Sequence, residues 1–135
     1  MNSTLTIQGI ITSFNNEFSV LATKFVIIDL EMATASAAQG ANLAKPGVYL
    51  FWNPTYGVIK VGRSLENSHK RAFEHLRDNT TGGSPRLEMK MLSGDPDSHL
   101  LLFNLLNPRD FHWAAALEIY FESNLNPHIK SGRTG

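Results

Sequence analysis

Two short apolar runs separated by a turn stand near the middle of the chain. Gly47 to Trp52 is rich in residues that favour β-strands, and Val58 to Val61 resumes the same pattern. The segment between them, 53–56, reads Asn-Pro-Thr-Tyr, and its proline suits the second position of a type I turn. The pattern predicts an antiparallel hairpin with a four-residue loop.

The loop length sets the register of this hairpin. A four-residue loop pairs Trp52 with Gly57. Further along, the same register pairs Tyr49 with Lys60. Because side chains alternate between the two faces of a strand, Tyr49, Lys60 and Gly62 are predicted to share one face. A loop one residue longer or shorter would reverse the face that Lys60 uses.

A helix is predicted directly after the hairpin. Asn67 or Ser68 can cap its start, and it runs to about Arg77. Its buried stripe consists of Ala72, Phe73 and Leu76. Arg71 and His75 lie four positions apart and therefore share another side of the helix.

One further strand and two helices complete the predicted core. Residues 87–91 alternate apolar and charged side chains, which predicts a third strand. A second helix is predicted from residue 95 through the apolar run 100–106, and a third over roughly 110–125. The predicted fold is α+β, of order β-β-α-β-α-α, in which helices flank a small three-stranded antiparallel sheet.

The first 45 residues are predicted to be an N-terminal extension to the domain that spans 46–135. Apolar residues alternate over 5–11, as in a strand. The run 25–28, Phe-Val-Ile-Ile, fits either a strand or the helical spacing of the preceding apolar residues. Residues 33–44 are small and polar, which indicates a connector.

The composition excludes several kinds of functional site. The chain has 135 residues, of which 42% are hydrophobic and 18% charged, so one compact domain is expected. It has no cysteine, which excludes disulfides, thiolate zinc sites, iron–sulfur clusters and a cysteine nucleophile. No uninterrupted apolar run is long enough to span a bilayer, and the first four residues lack the basic start of a secretory signal. We therefore expect a cytoplasmic protein without a membrane partner.

The formal net charge is zero, but the charges are unevenly distributed. Residues 47–91 carry seven basic and four acidic side chains, a net charge of +3, whereas residues 92–135 carry three basic and five acidic ones. A basic middle beside an acidic end suits a site that binds phosphate and a metal ion together. An ordinary distribution of charged residues over a protein surface gives the same counts, so the charge alone does not identify a function.

Several short motifs follow one another in a recognisable order. They are Gly47-Val48-Tyr49, then after ten residues Lys60-Val61-Gly62, then Arg71 and His75, then Glu118, and Pro127 nine residues later. This arrangement, over about residues 46–130, resembles the signature of the GIY-YIG nucleases. Lys60 replaces the first tyrosine of the second tripeptide, as in a subgroup found in phage reading frames and some restriction enzymes. The stretch 130–134 is similar to the end of the phage-type domain, and the family's late asparagine falls on Lys130.

The resemblance implies a metal-dependent DNA endonuclease that hydrolyses phosphodiester bonds. It implies a catalytic set of Tyr49, Lys60, Arg71, His75 and Glu118, and it implies Mg²⁺ or another divalent cation bound by Glu118. A single carboxylate binds Mg²⁺ weakly, so the ion is expected to be held weakly without DNA. All five side chains are expected to converge on one concave surface.

Elementary chemistry gives each of these side chains a role. Arg71 offers a planar fork to phosphate. Tyr49 can accept a proton from water if the ammonium of Lys60 lowers its pKa, and His75 can relay that proton or bind phosphate. Glu118 lies among apolar residues of its helix, where a carboxylate needs a partner.

The charged residues around this set are the expected DNA contacts. Arg63, Lys70 and Arg77 are predicted to face the DNA backbone together with Arg71. One active site of this kind cuts one strand. Double-strand cleavage would therefore need a homodimer, which the sequence neither requires nor excludes, or a second encounter.

Two other interpretations are open at this point. The chain can be a nucleic-acid-binding or interaction module that keeps the scaffold without cutting, because Lys60 and Lys130 depart from the family's pattern. It can also be an unrelated small α+β domain in which the motifs match by chance.

Overall fold

The computed structural model of the chain describes residues 5–130 and has a four-stranded antiparallel sheet at its centre. Its elements in chain order are α1 (Ile7–Glu17), β1 (Phe25–Glu31), α2 (Met32–Ala35), β2 (Gly47–Asn53), β3 (Gly57–Ser64), α3 (Ser68–Arg77), β4 (Thr81–Gly82), β5 (Leu87–Glu88), β6 (His99–Leu105) and α4 (His112–Asn124). The strand order in the sheet is β1-β6-β2-β3, and β4 and β5 form a separate two-stranded ribbon. The predicted α+β class is confirmed, with one more strand in the sheet than the three expected.

The third strand of the core lies later in the chain than the sequence pattern indicates. β6 takes the place of the helix predicted through 100–106 and lies between β1 and β2. Residues 100–105 are all buried because both faces of this central strand are covered, so the run is apolar apart from Asn104 and lacks the period of a strand. The strand predicted over 87–91 is wrong beyond Glu88, where Met89–Leu92 form a 3₁₀ turn that buries Met89 and Leu92.

Residues 5–45 belong to the same core as the rest of the described chain. β1 pairs with β6 along its whole length, so the strand interpretation of 25–28 is confirmed. The strand predicted over 5–11 is wrong, because a helix begins at Ile7. The Oγ1 of Thr6 caps it by accepting from the Gly9 N–H at 3.0 Å, and the helix buries Ile10 and Phe14 at helical spacing. The predicted connector contains the end of α2 and then leads to β2.

The hairpin of β2 and β3 has a shorter loop than predicted and a bulge that compensates for it. Asn53 pairs with Gly57, which leaves a three-residue loop, and the register shifts by one residue between Phe51 and Trp52. Tyr49 consequently pairs with Gly62, not with Lys60, which lies opposite Phe51. The predicted pairing is wrong, but Tyr49, Lys60 and Gly62 do share one face of the sheet.

The two faces of the sheet are covered by different helices. On one face α1 and α4 pack against Val48, Leu50 and Val61. On the other face α3 packs against Tyr49 and Phe51. Of these helices, α3 and α4 were predicted from the sequence, α3 within one residue of its observed bounds and α4 within two. This division decides which of the candidate residues can meet.

Candidate functional site

The start of α3 is fixed by a buried polar contact with the centre of the sheet. Asn67 caps the helix by accepting from the backbone N–H of Lys70 at 3.0 Å. The next residue, Ser68, is fully buried and donates its hydroxyl to Oδ1 of Asn104 in β6. Asn104 in turn donates to the Asn42 carbonyl oxygen at 2.8 Å. This contact holds the first turn of α3, and hence Arg71, against the sheet.

Sequence reasoning missed the role of Asn104. The available signal is its position, because it is the one polar residue within the apolar run 100–106. A buried amide in such a run has to be hydrogen-bonded, which marks it as a structural anchor.

Tyr49 lies directly over its cross-strand neighbour Gly62. A Cβ atom added to Gly62 would lie 2.2 Å from the Tyr49 hydroxyl oxygen and 2.3 Å from the ring carbon that carries it. The close approach of the tyrosine ring therefore requires a glycine at position 62. With 1% of its surface exposed, Tyr49 is a buried member of the site.

Four of the five predicted catalytic residues come together on the face of the sheet that α3 covers. The ring centroids of Tyr49 and His75 lie 5.6 Å apart. Arg71, one helical turn before His75, interacts electrostatically with Tyr49, and the charge of Lys60 acts on His75. Lys60 is 7% exposed, so the positive charge that acts on the histidine belongs to a buried residue.

His75 is held in its neutral form by this environment. Burial, followed by the positive charges of Lys60 and Arg71, lowers the pKa of its imidazole from 6.5 to about 4. Its Nδ1 atom is hydrogen-bonded to the Thr80 hydroxyl at 2.9 Å, which fixes the ring. At neutral pH the ring is uncharged, and one of its nitrogens can accept a hydrogen bond.

Arg71 is the member of the cluster that reaches the solvent. Its side chain is 43% exposed, and its Nη1 atom donates to Oε1 of Glu74 at 2.8 Å. This hydrogen bond raises the pKa of Arg71 and lowers that of Glu74, so both groups are charged at neutral pH. An incoming anion would meet Arg71 first, with the other three residues behind it.

Glu118 lies on the opposite face of the sheet, so the predicted convergence of all five residues is wrong. It belongs to the buried stripe of α4, beside Leu117 and Phe121, and 3% of its surface is exposed. Its Oε1 atom accepts a hydrogen bond from Nη1 of Arg63, which pairs with Val48 across the hairpin and shares its face. The sequence correctly indicated that this carboxylate needs a partner.

The surroundings of Glu118 do not fit the Mg²⁺ ion that the motif resemblance implies. Mg²⁺ in proteins usually keeps several water ligands, which a carboxylate 3% exposed cannot provide room for. One carboxylate oxygen is also engaged by the guanidinium of Arg63. Within residues 5–130, no three or more His, Asp or Glu side chains are grouped so that they could hold a metal ion.

The predicted DNA-contacting residues are divided between the two sides of the molecule. Lys70 and Arg77 are exposed on α3; Lys70 lies beside Arg71, whereas Arg77 lines the flank of the helix away from Arg71. Arg63 instead points towards α4, where its guanidinium binds Glu118. The prediction of a single face with Arg63, Lys70, Arg71 and Arg77 is therefore wrong for Arg63.

Comparisons with known proteins leave the family open. No family model, no curated protein and no solved structure matches this chain. In the part of the chain from 5 to 130, no helix is long and apolar enough to cross a membrane. Of the stretch 130–134 that is similar to the end of the phage-type domain, residues 131–134 lie outside the described residues. Lys130 donates to Oδ1 of Asn126.

Proposed function

We propose that the chain hydrolyses phosphodiester bonds in DNA, at the site formed by Tyr49, Lys60, Arg71 and His75. The observation that carries this proposal is the convergence of a tyrosine, a buried lysine, an exposed arginine and a neutral histidine on one side of α3. The resemblance of the same residues to the GIY-YIG signature supports it.

The exposure of the four side chains suggests how they divide the chemistry. Arg71 is exposed and planar, which suits two parallel hydrogen bonds to a phosphate. His75 is neutral at pH 7, so its ring can accept a hydrogen bond from an attacking water and orient it. Lys60 and Tyr49 lie underneath, so they act by orienting the imidazole and by stabilising negative charge that develops on the phosphate.

DNA is the proposed substrate because α3 presents cations around the site. Lys70 and Arg77 are exposed on the same helix as Arg71. Contacts of this kind release counterions from DNA, so binding should weaken steeply as salt is raised. A flat response to salt would count against DNA as the partner.

Nicking of supercoiled plasmid tests the proposal with conservative variants. Tyr49→Phe removes only the hydroxyl and keeps the ring over Gly62, and Arg71→Met keeps an unbranched apolar side chain but removes the guanidinium. Both should reduce nicking by at least about a hundredfold, the range that loss of one charge-stabilising or proton-transferring group produces. Tyr56→Phe and Arg109→Met are matched controls at exposed positions away from the cluster, and they should nick at the wild-type rate.

The same assay is run with Mg²⁺ and with EDTA, because the family resemblance implies a metal that the surroundings of Glu118 do not fit. Nicking that survives both Tyr49→Phe and Arg71→Met would refute the proposed site. Nicking that needs Mg²⁺ and is lost in Glu118→Gln would show that Arg63 releases the carboxylate when DNA is bound.

A second candidate function is nucleic-acid binding without cleavage. The pairing of Glu118 with Arg63 favours it, because the carboxylate expected to hold the metal is engaged in an ion pair on the other side of the sheet. This function predicts salt-dependent binding of DNA, reduced in Arg71→Met, with no nicking under any metal condition.

A further inference from the structure

A groove of about 430 Å³ runs along α3 on the flank away from Arg71 and His75. It is lined by Ser36, His69, Lys70, Phe73, Glu74 and Arg77. Phe73 is only partly buried where it packs against the core. Its ring centroid lies 5.0 Å from that of His69, whose Nε2 is hydrogen-bonded to the Ala35 carbonyl oxygen at 2.8 Å. An aromatic pair anchored to the fold therefore lines a groove that is open to the solvent.

Two cations lie next to the aromatic ring. Lys70 precedes Phe73 by three positions and Arg77 follows it by four, so both are neighbours of Phe73 on the helix surface. The Arg77 side chain is 71% exposed. Glu74, the acidic residue of the groove, directs its Oε1 atom to Arg71. An aromatic surface flanked by cations suits a nucleotide, since the base can stack while the phosphate meets the cations.

The groove lies next to a second depression that contains Arg71 of the proposed hydrolytic site. A smaller depression of about 200 Å³ on the other flank of α3 is lined by Arg71, and it shares Lys70 and Glu74 with the groove. A single strand of nucleic acid lying across α3 would therefore touch both Arg71 and Phe73. A base inside a duplex is stacked and paired, so only an unpaired base can enter the groove.

We propose that this groove binds an unpaired nucleobase of a DNA strand, stacked on Phe73, with the strand's phosphates at Lys70 and Arg77. The inference rests on the proposed function in taking DNA as the substrate. It adds a preference for DNA that has an unpaired base next to the phosphate held by Arg71.

The test compares two short fluorescein-labelled single strands that carry the same phosphates. One is oligothymidine, and the other is an abasic strand of equal length. By fluorescence anisotropy, the full chain should bind oligothymidine roughly tenfold more tightly than the abasic strand, the size expected for stacking of one base. Phe73→Leu keeps an apolar side chain against the core but removes the ring, so it should bind both strands equally. Phe111→Leu, at an exposed phenylalanine outside the groove, is the matched control and should keep the tenfold preference.

The charge part of the proposal has its own variant. Lys70→Gln should weaken both strands alike and reduce the dependence of binding on salt. A 2-aminopurine base within the oligothymidine should lose fluorescence on binding to the wild type, because stacking quenches it, and should keep it with Phe73→Leu.

Three results would overturn the inference. The wild type could bind the abasic strand as tightly as oligothymidine, Phe73→Leu could retain the preference for oligothymidine, or Phe111→Leu could lose that preference as fully as Phe73→Leu. The hydrolytic proposal can fail separately. Base-dependent binding without plasmid nicking would refute hydrolysis but support the groove as a base-binding site. Nicking that needs Tyr49 and Arg71, without any preference for the strand that has bases, would support hydrolysis and refute the groove.

Discussion

The ion pair between Arg63 and Glu118 offers the sharpest test of the way the two faces of the sheet are built. It joins β3 to α4, and the exposed fractions of the two side chains are 26% and 4%. Removing one partner of a buried pair typically costs about 3–5 kcal/mol, because the other charge stays in a medium of low polarity. Replacing both partners with apolar side chains of similar size is often nearly neutral.

The two single variants should differ, because the two side chains differ in burial. Arg63→Met leaves the Glu118 carboxylate buried without the guanidinium, so we expect a loss of about 3 kcal/mol in the free energy of unfolding. Glu118→Leu leaves an arginine that can turn towards water, which should cost about 1–2 kcal/mol. The double variant should lie within about 1 kcal/mol of the wild type.

Urea denaturation followed by the fluorescence of Trp52 and Trp113 measures these differences. With a slope of about 1–3 kcal/mol per molar urea, Arg63→Met should lower the midpoint by about 1–3 M. Arg77→Met is the control, because its pairing with Asp78 is exposed, and it should change the stability by less than about 0.5 kcal/mol. Single-variant losses that simply add in the double variant would refute the idea of a coupled buried pair. Stabilisation of the wild type by Mg²⁺, absent in Glu118→Leu, would show that the carboxylate binds metal despite Arg63.

Two further predictions concern the cluster on the other face. The pKa of His75 is about 4 in the folded state and 6.5 in the unfolded state, so between these pH values the unfolded chain binds more protons. The stability that is present above pH 6.5 should therefore be lost as the pH falls towards 4. Allowing for solvent screening of this half-buried ring, the free energy of unfolding of the wild type should fall by about 1–2 kcal/mol more than that of His75→Gln over that pH interval, as measured by urea titrations. If the two proteins lose stability equally as the pH falls, the lowered pKa of His75 is contradicted. Gly62→Ala should destabilise the protein by about 1–3 kcal/mol, because the new methyl group would overlap the Tyr49 ring, and Tyr49→Leu should relieve part of that loss in the double variant. An unchanged midpoint for Gly62→Ala would mean that the ring moves aside without cost.

The hairpin shows how a prediction can be right for a reason that the sequence does not display. The loop is one residue shorter than predicted, which alone would turn Lys60 to the other face. The one-residue bulge that follows restores the alternation, so Lys60 and Tyr49 share a face after all. Turn residues identified the hairpin, but nothing in the sequence marks the bulge.

The apolar run of β6 and the position of Glu118 had to come from tertiary structure. Residues 100–105 are buried from both sides, so their sequence has no period that separates a strand from a helix. The buried stripe of α4 can be recognised from its helical spacing, and Glu118 lies on it. Which face of the sheet that stripe covers depends on the path of the chain from β6 to α4, and local sequence does not encode it.

The outer strand of the sheet connects the cluster beneath α3 with the Arg63–Glu118 ion pair. In the described part of the chain β3 has β2 as its one strand neighbour, and its residues alternate between Lys60 and Gly62 beneath α3 and Arg63 beneath α4. A substrate that contacts Arg71 can reach the Arg63–Glu118 pair only around the edge of β3. Activity that depends on Arg63 as strongly as on Arg71 would therefore locate the reacting phosphate at that edge, whereas activity indifferent to Arg63 would confine the reaction to the α3 face and leave the ion pair a structural role.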